Sequence, residues 1–145
     1  MNYTRLILAA LAATVGDAIY GFIVYGNAMT SEFARYPGVY RSADSSPMFL
    51  PLMFAGIFVA MIAVVAIYAK GYEGGSGIAE GVRFGLLFGI FAAGFLAGVD
   101  YGTLNIGKKL TLMLACAGVV EWTIAGAIIG LVYRPAALAK RPSGV

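Results

Sequence analysis

The sequence predicts an all-α integral membrane protein, a four-transmembrane-helix antiparallel bundle made of one domain, residues 1–145. Three observations predict this fold class. Hydrophobic residues make up 61% of the chain and charged residues 12%, with a mean hydropathy of +0.86, whereas about a quarter of the residues in soluble proteins are charged. Four apolar runs approach the ~20 residues that a helix needs to cross a bilayer. These runs lack the alternation of barrel strands, and isolated strands cannot satisfy their backbone in lipid.

The predicted spans differ in how they begin and end. The second is introduced by Pro47 and Pro51, which suit the first turn of a helix, and the third has an amphipathic lead-in from Ser76. The link TLNIGKK is short, so the third and fourth helices are expected to be antiparallel neighbours. The four spans cover about residues 6–25, 48–69, 84–101 and 110–133.

The outer loop, residues 26–47, is long and rich in turn residues. Its TSEFARY portion is expected to form a short surface helix, because Thr30 or Ser31 can cap it and Glu32 suits its first turn. Tyrosines accompany the proposed membrane edges, where amphipathic rings settle at headgroup level. Tyr25 is one of those placed at the outer edge.

The distribution of basic residues predicts an orientation. An even number of spans puts both termini on one side, which carries six basic residues against four on the other. The positive-inside rule therefore favours cytoplasmic termini and, for a bacterial chain, the inner membrane. The first group is Arg5, Lys70, Arg83, Arg134, Lys140 and Arg141, and the second is Arg35, Arg41, Lys108 and Lys109.

The N-terminus allows an alternative interpretation. Arg5 followed by LILAALAATV resembles the first two regions of a signal peptide, and LAA or GDA could serve as its cleavage site. The apolar run resumes as AIYGFIVYG after Asp17 and reaches spanning length, which favours a retained helix. A cleaved chain would have three spans.

Glycines recur every four residues in and before the third span, which places each series along one helix face. Such small residues let helix backbones approach closely. Packing within one bundle is the favoured interpretation, and a homo-oligomer interface or a pore-lining face is the alternative. The predicted packing glycines are Gly77, Gly81, Gly85, Gly89, Gly94, Gly98, Gly126 and Gly130. Another face of the third helix carries Phe84, Phe88, Phe91 and Phe95, expected to face lipid or fill the core.

Two acidic residues lie deep within predicted spans. Asp17 follows Arg5 by twelve residues and Glu121 precedes Tyr133 by twelve, so each lies about 18 Å along its helix from the cytoplasmic edge. The two helices run in opposite directions, which puts both carboxyl groups near mid-bilayer. Both also lie on stripes of small residues that leave room for a partner helix or water. A third acid, Asp100, is expected at the outer interface, reaching water or pairing with Lys108 or Lys109.

Energetics restricts the state of the two deep acids. An isolated ionised acid at the centre of a span costs about 3 kcal/mol or more, and no basic residue lies in the middle of any span. The acids must therefore be protonated, share a proton, face water or hold a cation. If they meet, they titrate as a unit. Neighbouring groups expected to support them are Thr14, Tyr20, Thr111, Trp122 and Thr123.

Several function classes are disfavoured. The chain has no histidine, so neither a Ser-His-Asp triad nor histidine-ligated haem is available. No Walker sequence or dinucleotide-fold context is present, and we predict no enzymatic activity, no cofactor, no metal and no nucleic-acid partner. The single cysteine, Cys116, cannot form an intrachain disulfide and is expected to be a buried packing residue.

The chain resembles two groups of proteins. The segments SGIAEGVRFGLLFGIFAAG and EWTIAGAIIGLVYRP resemble, in composition, the small bacterial four-helix inner-membrane proteins to which no function is assigned. The small multidrug resistance transporters are also similar in having four spans and a critical glutamate in the first helix, whose role would fall to Asp17. This chain differs in its aspartate, its long outer loop and its second acid in the fourth helix.

Two functions are expected from the sequence. The leading hypothesis is a small, oligomeric, permease-like protein in which Asp17 and Glu121 form a proton or cation site linked to passage of a small solute. The alternative is a structural or accessory subunit that joins a larger membrane-protein complex through its glycine-lined faces. In that case the acids, when protonated, act only as hydrogen-bonding groups between helices.

Overall fold

The computed structural model describes residues 1–42 and 44–133. Within them, four helical segments are long and apolar enough to cross a membrane by length and composition, which confirms the predicted all-helical chain with four apolar helices. The helices are α1 (Tyr3–Ile23), α2 (Thr30–Phe33), α3 (Leu50–Gly71), α4 (Gly77–Ala92), α5 (Gly98–Thr103) and α6 (Lys108–Val132).

Two π-helical turns lengthen the apolar helices beyond the predicted spans. The turn Val24–Ala28 continues α1, and the turn Ala93–Ala97 joins α4 to α5. The first and third long helices consequently cover Tyr3–Ala28 and Gly77–Thr103. Single π turns inside α-helices occur frequently at functional sites, which makes the turn Val24–Ala28 at the end of α1 a candidate part of such a site.

The connection between α3 and α4 is fixed by charged side chains. The Glu80 carboxylate accepts hydrogen bonds from the backbone N–H groups of Gly75, at 2.5 Å, and Glu73, at 3.3 Å. Arg83 forms a 2.5 Å ion pair with Glu73. Gly74 has φ +89°, a conformation that favours glycine. These contacts begin α4 at Gly77, so the predicted lead-in from Ser76 is the first part of the helix itself.

Helices α4 and α6 pack through their glycines. A Cβ atom added to Gly85 would lie 3.0 Å from the Cα atoms of Gly126 and Thr123, and one added to Gly89 would lie 3.0 Å from the Cα of Val119. Nearer the end of the bundle that carries Tyr3 and Tyr133, called the inner end after the predicted orientation, Gly77 and Gly81 meet Gly130 and Gly126 in the same way. Ascending positions on α4 therefore meet descending positions on α6, so these two helices run in opposite directions at backbone contact.

The two glycine series behave differently. The first series packs against α6, as the small-residue pattern predicted. Around Gly94 and Gly98, by contrast, nothing lies within 4 Å of an added Cβ. A packing role for Gly94 and Gly98 therefore has no partner among the described residues, and it stays a prediction for contact with another chain.

The main core lies where α1, α3 and α6 meet. Helix α1 packs on both α3 and α6, and Ala9, Ala10 and Ala13 are fully buried between them. At the inner end, Tyr68 of α3 makes edge contacts with the rings of Tyr133 and Phe84. The core cluster consists of Leu6, Ala9, Ala10, Ala13, Met61, Val64, Val65, Tyr68, Ala125, Ile129 and Tyr133.

A second, smaller cluster closes the outer end. Met29, Ile106 and Leu110 are buried, and aromatic residues of the outer loop pack against them. The predicted surface helix in this loop is confirmed as α2, but its predicted capping is wrong. Met29 precedes the helix with no side-chain cap, and the Thr30 hydroxyl donates to the Gly26 carbonyl at 2.8 Å.

The structure also bears on the predictions for Cys116 and Asp100. Cys116 lies on an exposed face of α6, so the prediction that it is buried is wrong; composition gave the helix but not which face it turns inward. Lys109 pairs with Glu32 of the outer loop, so of the two alternatives predicted for Asp100, pairing with Lys109 is not the one seen. Three basic residues used for the predicted orientation, Arg134, Lys140 and Arg141, lie outside the described residues.

Candidate functional site

The side chains of Asp17 and Glu121 meet between α1 and α6. Their carboxyl groups lie within hydrogen-bonding range of each other, and both residues are partly buried. The sequence predicted a shared depth from spacing alone, and the structure adds the contact. Whether the pair works as a proton or cation site is a separate matter, which stays a prediction.

The faces of the two helices explain the contact. On α1, Asp17 follows Ala13 and Ala10 by four and seven residues, so it continues the stripe that the inner turns bury. On α6, Glu121 precedes the buried Ala125 by four residues. Small side chains at these neighbouring positions bring the two helices close, and the carboxyl groups occupy the next turn of the same interface.

Tyr25 is hydrogen-bonded to the acid pair. Its hydroxyl donates a 2.8 Å hydrogen bond to Oε2 of Glu121, from the second residue of the π-helical turn Val24–Ala28. The sequence placed Tyr25 at the outer membrane edge and missed this role. The available signal was its spacing of eight residues from Asp17, which puts both on one face of a helix.

Tyr20 lies beside the pair and contacts α6. Its hydroxyl donates to the backbone carbonyl of Ala117 at 2.8 Å, and its ring meets the ring of Tyr25 edge-on at 6.1 Å. A tyrosine on the Asp17 face therefore helps to hold α1 against α6 one turn from the carboxyl groups.

The other predicted supporting residues bond elsewhere. Thr14 and Thr123 donate to carbonyls of their own helices, Ala10 at 2.8 Å and Val119 at 2.7 Å. Trp122 packs its ring on Phe88 of α4, with centroids 4.5 Å apart. Thr111 donates to the Gly107 carbonyl, four residues before it, at 3.2 Å. Of the five predicted supporting residues, Tyr20 is therefore the one whose hydrogen bond joins α1 to α6 beside the acids.

The closeness of the two carboxyl groups restricts their chemistry. An ionised carboxylate is only an acceptor, so two carboxyl groups can bond to each other only when one carries a proton. With Tyr25 donating to Glu121, the cluster accommodates one proton and one negative charge. The sequence contains no basic residue from 6 to 34 or from 110 to 133, so neither helix supplies a positive charge beside the pair.

Faces of α4 and α6 that are covered at the inner end are more exposed nearer the outer end. On α4, Phe84 and Phe88 pack against the core, while Phe91 of α4 and Phe95 of the following π-helical turn are 64% and 60% exposed. On α6, Gly118 lies seven residues before the buried Ala125, yet nothing lies within 4 Å of its added Cβ. These faces of α4 and α6 are therefore closely packed at the inner end and more exposed nearer the outer end, while α1 and α6 stay in contact there through Tyr20, Tyr25 and the outer cluster.

Ligating groups beyond the pair are sparse. In the part of the chain that the structure describes, no three His, Cys, Asp or Glu side chains lie close enough together to hold a metal ion. Asp100 lies at the outer end, where its charge acts on Tyr40, well separated from the pair along the chain.

Comparison with known proteins adds no assignment to this geometry. The chain matches no protein-family model, no curated protein and no solved structure.

Proposed function

We propose that the protein is a small permease-like protein of the bacterial inner membrane, in which Asp17 and Glu121 exchange a proton or cation as a small solute passes. The four apolar helices form an antiparallel transmembrane bundle with cytoplasmic termini, and the chain assembles as an oligomer. One observation carries the proposal: two acids from different helices meet among apolar segments that contain no basic partner. Ionisable groups in such positions commonly mark ion and proton pathways.

The charge of the pair supports exchange. A pair that shares one proton carries one negative charge, and desolvation makes an uncompensated charge inside a membrane costly. A second proton or a monovalent cation neutralises it. Each arrival or departure of such a charge therefore changes the electrostatic energy of the α1–α6 interface, which couples occupancy to helix position.

Reconstitution tests this proposal directly. Purified protein in liposomes that contain a pH-sensitive dye should let protons cross when a potential is applied, and both Asp17→Asn and Glu121→Gln should abolish the flux. Asp100→Asn is the matched control, because it removes a carboxyl group at the outer end and leaves the pair intact. Flux in Asp17→Asn equal to that of the unaltered protein would contradict the proposal, provided that both proteins elute as folded, monodisperse species.

A second candidate function is supported by the uncovered glycines. Added Cβ atoms at Gly94, Gly98 and Gly118 would meet nothing within 4 Å, although small residues in membrane helices commonly mark close helix contacts. An accessory subunit would use these faces to join a larger complex. Purification in mild detergent distinguishes the two: an accessory subunit co-elutes with larger membrane partners and carries no flux alone.

A further inference from the structure

The outer loop folds back over the end of α6 and is held there by three kinds of contact. We call residues 29–40 the outer strap. The strap follows directly on the π-helical turn that carries Tyr25. The strap is therefore directly connected, through this turn, to the residue that bonds Glu121.

The first contact is a partly buried ion pair. Glu32 is only 7% exposed, and Lys109 at the start of α6 donates to its Oε1. Arg35 lies 3.7 Å from its other oxygen. Removing one partner of such a pair leaves the other charge uncompensated, which is costly where water is restricted.

The second contact is made to the backbone of the α5–α6 link. The N–H of Gly107 donates to the Tyr36 hydroxyl at 3.1 Å. Because Gly107 directly precedes α6, this bond joins the strap to the first turn of the helix that carries Glu121.

The third contact is apolar and reaches Tyr25. Met29 of the strap is 3% exposed and lies in one buried cluster with Ile106 and Leu110. Tyr25 packs against the same cluster while its hydroxyl bonds Glu121. The strap and the acid pair therefore share Tyr25 as a common contact.

We propose that the outer strap is a gate, and that Tyr25 is a positioning residue through which the closed strap holds Glu121 against Asp17. When Lys109 releases Glu32 and Tyr36 releases Gly107, the strap lifts, the π-helical turn moves and Tyr25 leaves the carboxylate. The pair is then open to the outer side, while Tyr68 and Tyr133 keep the inner end packed. This inference deepens the proposed function and rests on it for its purpose, but the movement is measurable without any transport.

Thiol labelling of a buried position under the strap measures this opening. Leu110→Cys in a Cys116→Ala background puts the only thiol at a site that is fully buried in the closed state. A charged, membrane-impermeant thiol reagent should label it slowly. Glu32→Gln should speed the labelling by about fivefold or more, because coupling between two sites in a protein typically changes an equilibrium by at least about that factor. Tyr36→Phe, which removes the bond to Gly107 but keeps the ion pair, should act in the same direction.

Controls separate opening from unfolding. Ser31→Cys, exposed on the strap itself, should label at one rate with and without Glu32→Gln. The double variant Glu32→Lys with Lys109→Glu restores the opposite charges and should return the Leu110→Cys reporter to slow labelling. Persistent fast labelling in this double variant would mean that Glu32→Gln had acted by disrupting the fold, and would overturn the gate.

Two results decide the link to the acid pair. Tyr25→Phe should also speed labelling of the reporter about fivefold or more, because it removes one of the bonds that hold the strap closed. Smaller changes in both Glu32→Gln and Tyr36→Phe overturn the gate, and a smaller change in Tyr25→Phe overturns its link to the pair. Neither result depends on proton flux, so failure of the gate and failure of the proposed transport are separately visible.

Discussion

The Tyr25 hydroxyl donates a 2.8 Å hydrogen bond to Oε2 of Glu121, linking the outer end of α1 to the middle of α6. This bond reaches from a π-helical turn to a carboxyl group that also meets Asp17. It therefore ties the geometry of the helix end to the state of the acid pair. The predictions below test this bond, the helix contacts that position it and the loop that covers it.

Removing the Tyr25 hydroxyl tests the bond itself. Hydrogen bonds to charged groups contribute about 1.5–3 kcal/mol in proteins. Without this bond Glu121 is no longer held against Asp17, so Tyr25→Phe should reduce proton flux in liposomes about tenfold or more, even though the strap opens more readily and the protein stays folded. Tyr20→Phe is the control of matched chemistry, because its hydroxyl bonds a backbone carbonyl instead of an acid. Equal losses in both variants would show that the tyrosines act only by joining the helices.

The backbone contact between α4 and α6 predicts a position-dependent effect of added methyl groups. Gly85→Ala places a Cβ against the Gly126 and Thr123 backbones and should destabilise the protein by about 1–3 kcal/mol. Gly98→Ala meets open space and should be neutral or stabilising by up to about 1 kcal/mol, since alanine favours helix. Unfolding in mixed detergent micelles, followed by circular dichroism, measures both.

Gly98→Ala also bears on the accessory-subunit alternative. A methyl group on a glycine face that docks against another protein would interfere with close approach. Co-purification of larger partners should then fall in Gly98→Ala, although the isolated chain is unaffected. Unchanged partners would remove this face from consideration as a docking surface.

The strap ion pair predicts a defined pH dependence of stability. The hydrogen bond from Lys109 lowers the pKa of Glu32, and nearby Arg35 acts in the same direction. A carboxyl group whose pKa is lowered in the folded state stabilises the fold above its unfolded-state pKa, and this contribution is lost as the pH falls through the folded-state pKa. Glu32→Gln should therefore lower the melting temperature by a few degrees at neutral pH.

The same difference should disappear in acid. As the pH falls through the lowered folded-state pKa of Glu32, unaltered Glu32 becomes protonated as well, so the melting temperatures of the protein and of Glu32→Gln should converge. Between pH 5 and pH 8 the difference should be constant. A difference that changed across this neutral range would show that another titrating group controls the strap.

The number and type of helices could be predicted from the sequence because long apolar runs admit one solution in lipid. The depth of a residue along its helix could also be predicted, because the rise per residue is constant. This rise places Asp17 and Glu121 at one level. The sequence did not determine which faces turn inward, because these helices are apolar on nearly every side. Cys116 was therefore predicted to be buried but is exposed, and the two glycine series looked equivalent although only one packs within the chain.

The outer half of the candidate site was less predictable. Tyr25 looked like an interfacial residue because its span was taken to end there, whereas the π-helical turn carries the helix on to Ala28 and leaves the hydroxyl on Glu121. Glu32 looked like a first-turn residue of a surface helix, and its burial against Lys109 depends on tertiary folding of the loop. Both features arise from long-range contacts that local spacing does not encode.

Infrared spectroscopy of the carboxyl groups tests the shared proton most directly. In the reconstituted protein at neutral pH, a protonated-carboxyl C=O band protected from bulk water should be present, and it should be lost or shifted in both Asp17→Asn and Glu121→Gln but retained in Asp100→Asn. A band that persists unchanged when either acid of the pair is replaced would contradict the account, because each carboxyl group would then hold its proton independently of the other.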